Sequence, residues 1–149
     1  MLTKLLEKDG HIITDVECDS WEEVVDILVA PLIADGSVEP QFAESAKEAA
    51  VQYGGYVVLI EDIAFFHGRP EAGVKKLDIS MALLKKPVYL LEKRITAAFL
   101  MAAVDNVSHR DLLKALSQFM NDEKCLELLR KGEDLDAIMT NFKKVEGKI

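Results

Sequence analysis

The chain has 149 residues, half of them hydrophobic and 30% charged, with a net charge of −8 and a sequence pI near 4.9. That length fits a single domain over residues 1–149 with a core of its own, the composition excludes a disordered chain, and no apolar run reaches the length of a membrane span. The acidic balance argues against nucleic acid, whose phosphates select a basic face, and suits small molecules or basic protein partners.

The first residues carry Lys4, Glu7 and Lys8 where a signal segment would be apolar. The expectation is a cytoplasmic protein with no signal peptide and no membrane insertion. His11 to Glu17 alternates weakly, as an edge strand or a lead-in. Ser20 opens a helix, with Glu23 at the spacing of a capping box. Trp21, Val24, Val25, Leu28 and Leu32 fall on one face of it. Pro31 has no N–H to donate, so the helix is expected to kink or end there, with Gly36 beyond as punctuation. A second helix is expected from Pro40, with Phe42, Ala46, Ala49, Ala50 and Tyr53 along one side and Gly54 and Gly55 closing it.

The period then changes. Tyr56–Ile60, Ile63–Phe66, Asp78–Leu84 and Ala97–Val104 are apolar runs of strand type, and Val88–Leu91 adds a short one. Continuous apolar runs suit strands covered on both faces. Helical patterning returns at Ser108, with Asp111 three residues on and an inner stripe of Leu112, Leu113, Leu116, Phe119 and Met120. A short helix with Cys125, Leu126, Leu128 and Leu129 is closed by Gly132, and a last one shows Leu135, Ile138, Met139 and Phe142. Helices before and after a cluster of strands predict an α/β sandwich around a central sheet of about four to six strands. Cys18 and Cys125 are the two cysteines. They have neither CxxC spacing nor a histidine cluster, so no zinc site is expected and the thiols are read as reduced.

Three histidines are present: His11, His67 and His109. His67 ends an apolar strand, and strand ends in α/β folds collect sites. Gly68, with no side chain, would let another molecule approach. Arg69 offers a rigid fork of donors for phosphate or carboxylate, and Pro70 stiffens the loop. The residues alone leave two readings of His67 open: a packed, hydrogen-bonded imidazole, or an exposed one beside an anion binder. His109 follows Ser108, in the first turn of the predicted helix, where free N–H groups attract anions; a solvated surface histidine is the alternative. The short link from the preceding strand, Asp105–Val107, places it to share a rim with His67. His11 has no such context. Glu61 and Asp62 read as an acid pair or a solvated turn, and Glu71, Lys75 and Lys76 as solvated charges. No nucleophile elbow and no glycine-rich phosphate loop is found.

The run Tyr56–Val74, YVVLIEDIAFFHGRPEAGV, resembles the active-site block of IIA components of the bacterial phosphoenolpyruvate-dependent sugar phosphotransferase system. The likeness is to the fructose–mannitol type (type 2), and within it to the ascorbate-specific branch, in which a strand leads into His-x-Arg-Pro-Glu-x-Gly-Val. Leu83–Val88, Ala102–Leu112, the segment around Trp21–Glu23 and the closing helices are similar too. The resemblance implies a central mixed sheet of about five strands flanked by helices on both faces. It implies that His67 accepts a phosphoryl group from the phosphocarrier HPr and passes it to a IIB component, and through it serves a IIC permease for L-ascorbate or a related sugar. His109 matches the family's second histidine and would stabilise the phosphoryl oxygens; Arg69 and nearby backbone N–H groups are inferred to do so as well. No metal and no cofactor is called for. Phe65 and Phe66 would limit water at the phosphoryl group. They stand where the family has a small or sulfur residue and a proline. The helix segment Ala46–Tyr53 also lacks the arginine of the mannitol and fructose branch, Lys47 being the cation present. The alternatives are a regulatory IIA-like protein, signalling through phosphorylation-dependent protein binding, and an interaction domain in which His67 is inert.

Overall fold

The computed structural model describes residues 2–147, and of Gly55 the backbone alone. In chain order the elements are α1 (Leu2–Leu6), β1 (Ile12–Val16), α2 (Trp21–Ala34), α3 (Phe42–Tyr53), a 3-10 turn (Gly54–Tyr56), β2 (Asp62–His67), β3 (Asp78–Leu90), β4 (Lys93–Ala102), α4 (Asn106–Met120), α5 (Glu123–Lys131) and α6 (Leu135–Glu146). The expected mixed sheet is present, with the order β1-β3-β4-β2. β1 runs parallel to β3, β3 antiparallel to β4, and β2 parallel to β4.

Among the described residues the sheet has four strands rather than about five. Val88–Leu91 is no separate strand: Val88 to Leu90 are the end of β3, which resumes its pairing after a register shift between Leu83 and Val88. Pro87 lies in that shift, where a missing N–H costs no ladder bond. Tyr56–Ile60 is no strand either. Gly54, at φ 38°, opens a tight turn. The segment then folds back on β2, with the Phe65 N–H on the Val57 carbonyl at 2.8 Å and the Ile63 N–H on the Ile60 carbonyl at 3.0 Å. Its apolar side chains divide accordingly: Val57 and Val58 are buried, Tyr56 and Leu59 exposed.

The Ser20 hydroxyl accepts from the Glu23 N–H at 3.3 Å, as the capping-box spacing predicts. The helix does not end at Pro31 but continues to Ala34, and the Pro31 carbonyl takes the Asp35 N–H at 3.0 Å. Leu28 and Leu32, both fully buried, hold that last turn on the sheet. α4 starts at Asn106, not Ser108. Asp105 is its cap, accepting the Ser108 N–H at 2.7 Å and the Ser108 hydroxyl at 2.8 Å. Ser108 therefore occupies the position that a cap serves. Helix α1 was not expected; it is too short to show a period. It docks through buried Leu2 and Leu6, and the Leu2 N–H and Thr3 hydroxyl donate to the Glu146 carboxylate at 2.8 and 2.6 Å.

Both faces of the sheet are covered, which explains its continuous apolar runs. On one face α2 and α3 pack Val24, Leu28, Phe42 and Ala46 against Ala64, Phe66 and Leu100. On the other, α1 and α4–α6 pack Leu112, Phe119 and Phe142 against Ile63, Phe99 and Met101. Strand alternation sends Phe66 to the first face and Ile63, Phe65 and His67 to the second. Cys18 and Cys125 are free and buried, and burial pushes the Cys125 thiol up to about 11. Among the described residues no helix is long and apolar enough to cross a membrane.

Candidate functional site

β2 and β4 run side by side to the same edge of the sheet, where His67 pairs with Met101. One residue later β4 ends, the chain turns at Asp105, and the cap starts α4 back across the sheet. The first turn of that helix carries His109 to His67: their ring centroids lie 5.5 Å apart, the planes tilted by 48°. Both rings are half-buried. Burial, and secondarily the neighbouring His67, push the His109 imidazole below its usual value. A neutral imidazole has one lone pair and one N–H. Two of them at this separation can offer a nucleophile and a donor to the same group.

The helix start supplies less than expected. The His109 N–H is taken by the Asp105 carbonyl at 3.1 Å, and the Ser108 N–H by the Asp105 carboxylate. The Ser108 N–H, and after it the Ser108 hydroxyl, hold the Asp105 carboxyl below its ordinary value. The His109 backbone N–H is thus committed within the helix, and it is the ring that meets His67.

The pair lines an open groove of about 590 Å³, together with Tyr56, Leu59, Phe65, Met101, Leu113 and Met120 among others. Tyr56 and Leu59 are 74% and 70% exposed on its rim. Exposed apolar side chains on the rim of a groove make it a candidate docking surface.

The two phenylalanines separate. Phe65 lines the groove and stacks on Phe99 at 5.7 Å; Phe66 turns to the opposite face and stacks on Trp21 at 6.0 Å. Only Phe65 flanks the histidines, so the expectation that both shield the site is corrected by alternation. Gly68 is corrected too. The space beside it is filled by the protein's own Phe42: a Cβ there would lie 2.8 Å from Phe42 Cε1 and 3.1 Å from Ser45 Oγ. Gly68→Ala is expected to destabilise the fold by about 1–3 kcal/mol through overpacking. Urea denaturation checks this, and an unchanged midpoint would show that Phe42 gives way freely.

The Arg69 N–H donates to Ser45 Oγ at 2.9 Å. Its guanidinium is 65% exposed, with Nη2 3.9 Å from Glu48 and Nε 3.9 Å from Glu71. Lys47 is turned away to α2, where it pairs with Asp26 at 2.8 Å. The structure therefore brings His67 and His109 together and leaves the Arg69 fork between two carboxylates. Asp62, read as half of an acid pair or as a solvated turn, is neither. It is buried at the other end of β2 and held by Arg94 at 2.7 and 3.0 Å.

His11, unassigned from its context, is buried on β1's side of the sheet. Its Nε2 lies 2.9 Å from Asp78 Oδ2, which also accepts from Ser37 Oγ at 2.6 Å and Lys8 Nζ at 3.1 Å. The His11, Asp35 and Asp78 donor atoms lie within 4.8 Å of one another, but Lys8 supplies the cation there, 2.5 Å from Asp35. Ser45, Phe42 and this cluster had no local signal, since each acts across the fold.

The sequence model described as "Phosphoenolpyruvate-dependent sugar phosphotransferase system, EIIA 2" matches residues 5–145. The chain is 33% identical over 129 residues, 84% of each protein, to the ascorbate-specific PTS system EIIA component of Escherichia coli K12. To that of Salmonella typhi it is 32% identical over the same length and shares. Among solved structures, the mannitol-specific cryptic phosphotransferase enzyme IIA CmtB of Escherichia coli superposes with a TM-score of 0.81 at 22% identity, over 99% of both chains. A complex of enzyme IIA-Mtl with phosphorylated enzyme IIB-Mtl from Escherichia coli does so with a TM-score of 0.75 at 20% identity, over 91% of this chain and 96% of that one. At those identities the two structures speak for the fold alone.

Proposed function

The chain belongs to the phosphoenolpyruvate-dependent sugar phosphotransferase system EIIA 2 family, and from that membership we propose that His67 carries the phosphoryl group. The observation that supports this most is the His67–His109 pair, 5.5 Å apart in the lining of an open, largely apolar groove. In the reaction, phosphorylated HPr docks at the groove. The lone pair of a neutral His67 nitrogen attacks phosphorus, and the bond to the donor's nitrogen breaks, that nitrogen keeping its electron pair. The His109 N–H faces the phosphoryl oxygens as charge redistributes. The Arg69 fork, 3.9 Å from its carboxylate neighbours, turns from them to the incoming charge. Phe65 covers one side of the nucleophile against water. The same steps in reverse order pass the group to a IIB component, which in turn serves a IIC permease, on the cytoplasmic side of the membrane. The 33% identical relatives favour L-ascorbate or a related sugar as the cargo.

The test supplies labelled phosphoenolpyruvate, enzyme I, HPr and this chain to the IIB component of an ascorbate system and, separately, to that of a mannitol system. Label is expected to pass through this chain to the ascorbate-type IIB. Label that stops on HPr would overturn the carrier reading, and preferential transfer to the mannitol-type IIB would overturn the sugar assignment alone.

A further inference from the structure

Pairing between β2 and β4 ends at His67, and the next two residues are held by a different element. The Arg69 N–H donates to Ser45 Oγ at 2.9 Å, the hydroxyl of a serine in the first turn of α3 that is only 5% exposed. Gly68 lies against the same helix, so close that a Cβ would stand 3.1 Å from that oxygen and 2.8 Å from Phe42 Cε1. Contact on this scale leaves the backbone after His67 one path.

We propose that Ser45 is a positioning residue for phosphoryl transfer: its hydroxyl anchors the Gly68–Arg69 backbone to α3 and thereby sets how His67 faces His109 and from where Arg69 reaches. This rests on the reading of His67 as phosphoacceptor. The exit path of the chain fixes the backbone angles of His67 and so the direction of its Cα–Cβ bond, while α4 sets His109 independently. Their 5.5 Å separation therefore needs both elements to hold. The Arg69 side chain is placed differently. The carboxylates of Glu48 and Glu71 are 3.9 Å from the fork, beyond hydrogen-bond distance. The Arg69 backbone is held by Ser45 and the fork is left to turn. Without the hydroxyl, the Arg69 N–H has lost its partner in a nearly closed space, and the peptide rotates to find another. Ser45 itself has no part in docking, since its side chain faces the protein's own backbone.

Phosphoryl transfer from phosphorylated HPr is measured for the wild type, Ser45→Ala and Ser45→Thr. The alanine variant is expected to lower kcat about tenfold, with KM for phosphorylated HPr within about twofold of wild type, as loss of orientation without loss of binding does. The Arg69 amide resonance moves in the same variant, and Ser45→Thr, which keeps the hydroxyl, restores both. Wild-type kcat in Ser45→Ala, an effect on KM alone, or no rescue by threonine would overturn the proposal. Should Ser45→Ala not fold, hydrogen exchange of the Arg69 amide in the wild type decides. Exchange slowed about a hundredfold or more against an open amide supports the anchor; unslowed exchange overturns it. A wild type that takes no label from loaded HPr overturns the His67 reading itself, a result distinct from a labelled wild type with an indifferent Ser45.

Discussion

His67→Ala is expected to abolish phosphoryl uptake while leaving the fold in place. The ring stands at the end of β2, half-exposed, with its side chain on the rim of the groove rather than in either apolar core. Its loss removes the proposed nucleophile without opening an interior cavity, so stability is expected to change by only about 0.5 kcal/mol or less. A group-transfer protein without its acceptor has no slower route to fall back on. The exception to be tested is His109, whose ring lies 5.5 Å away and also has a lone pair. Wild type and variant are incubated with phosphoenolpyruvate, enzyme I and HPr, then weighed intact at alkaline pH, where phosphohistidine survives. One phosphoryl group on the wild type and none on the variant is the expected result. Uptake by the variant would move the acceptor to His109. No uptake by either, with HPr loaded, would remove the carrier reading and favour a regulatory or purely binding role.

His109→Ala is expected to slow transfer by about 10²–10³-fold, the loss that follows removal of one preorganised donor from a developing anion. The docking constant for HPr should move little, because His109 is one of many residues that line the groove, Tyr56, Leu59, Phe65 and Leu113 among them. His109→Gln keeps an N–H near the same place and is expected to recover part of the rate. A rate within about twofold of wild type in the alanine variant would reduce His109 to a packing residue.

The same residue gives a pH signature. Burial and then the nearness of His67 hold His109 below its usual value in the folded chain. Below about pH 6.5, where an unfolded histidine takes up its proton, the unfolded state therefore binds more protons than the folded one. Stability associated with neutral His109 is full above that pH and is lost as pH falls from it through the folded value. Unfolding midpoints at pH 7.5 and pH 5.5 should fall further in the wild type than in His109→Ala. Equal falls would show that other groups account for the acid sensitivity.

Some of this was legible along the chain. The capping box at Ser20–Glu23, the apolar stripe from Trp21 to Leu32 and the long apolar runs of the sheet are local patterns, and local energetics respected them. A histidine at a strand end and another at a helix start also stood out, because both lie where elements terminate. Tyr56–Ile60 was misread because a short apolar run has no period to tell a strand from a turn that buries Val57 and exposes Leu59. The start of α4 was misplaced because Asp105 and Ser108 are both good caps, and the competition went to the one whose carboxylate reaches the other's N–H.

What the linear sequence determined by itself is the α/β class, the run of strands covered on both faces and the residue types available for chemistry. All of these follow from periodicity and composition, which are properties of neighbours. The tertiary structure alone decided which of those residues meet. It placed His67 and His109 in one site from strands and a helix 42 positions apart in numbering. It filled the space at Gly68 with Phe42, pinned Arg69 to Ser45, and turned Phe66 away from the site that Phe65 lines. Such contacts depend on how α3 and α4 cross the sheet, a geometry set by the burial of both faces at once and not by any window of the chain.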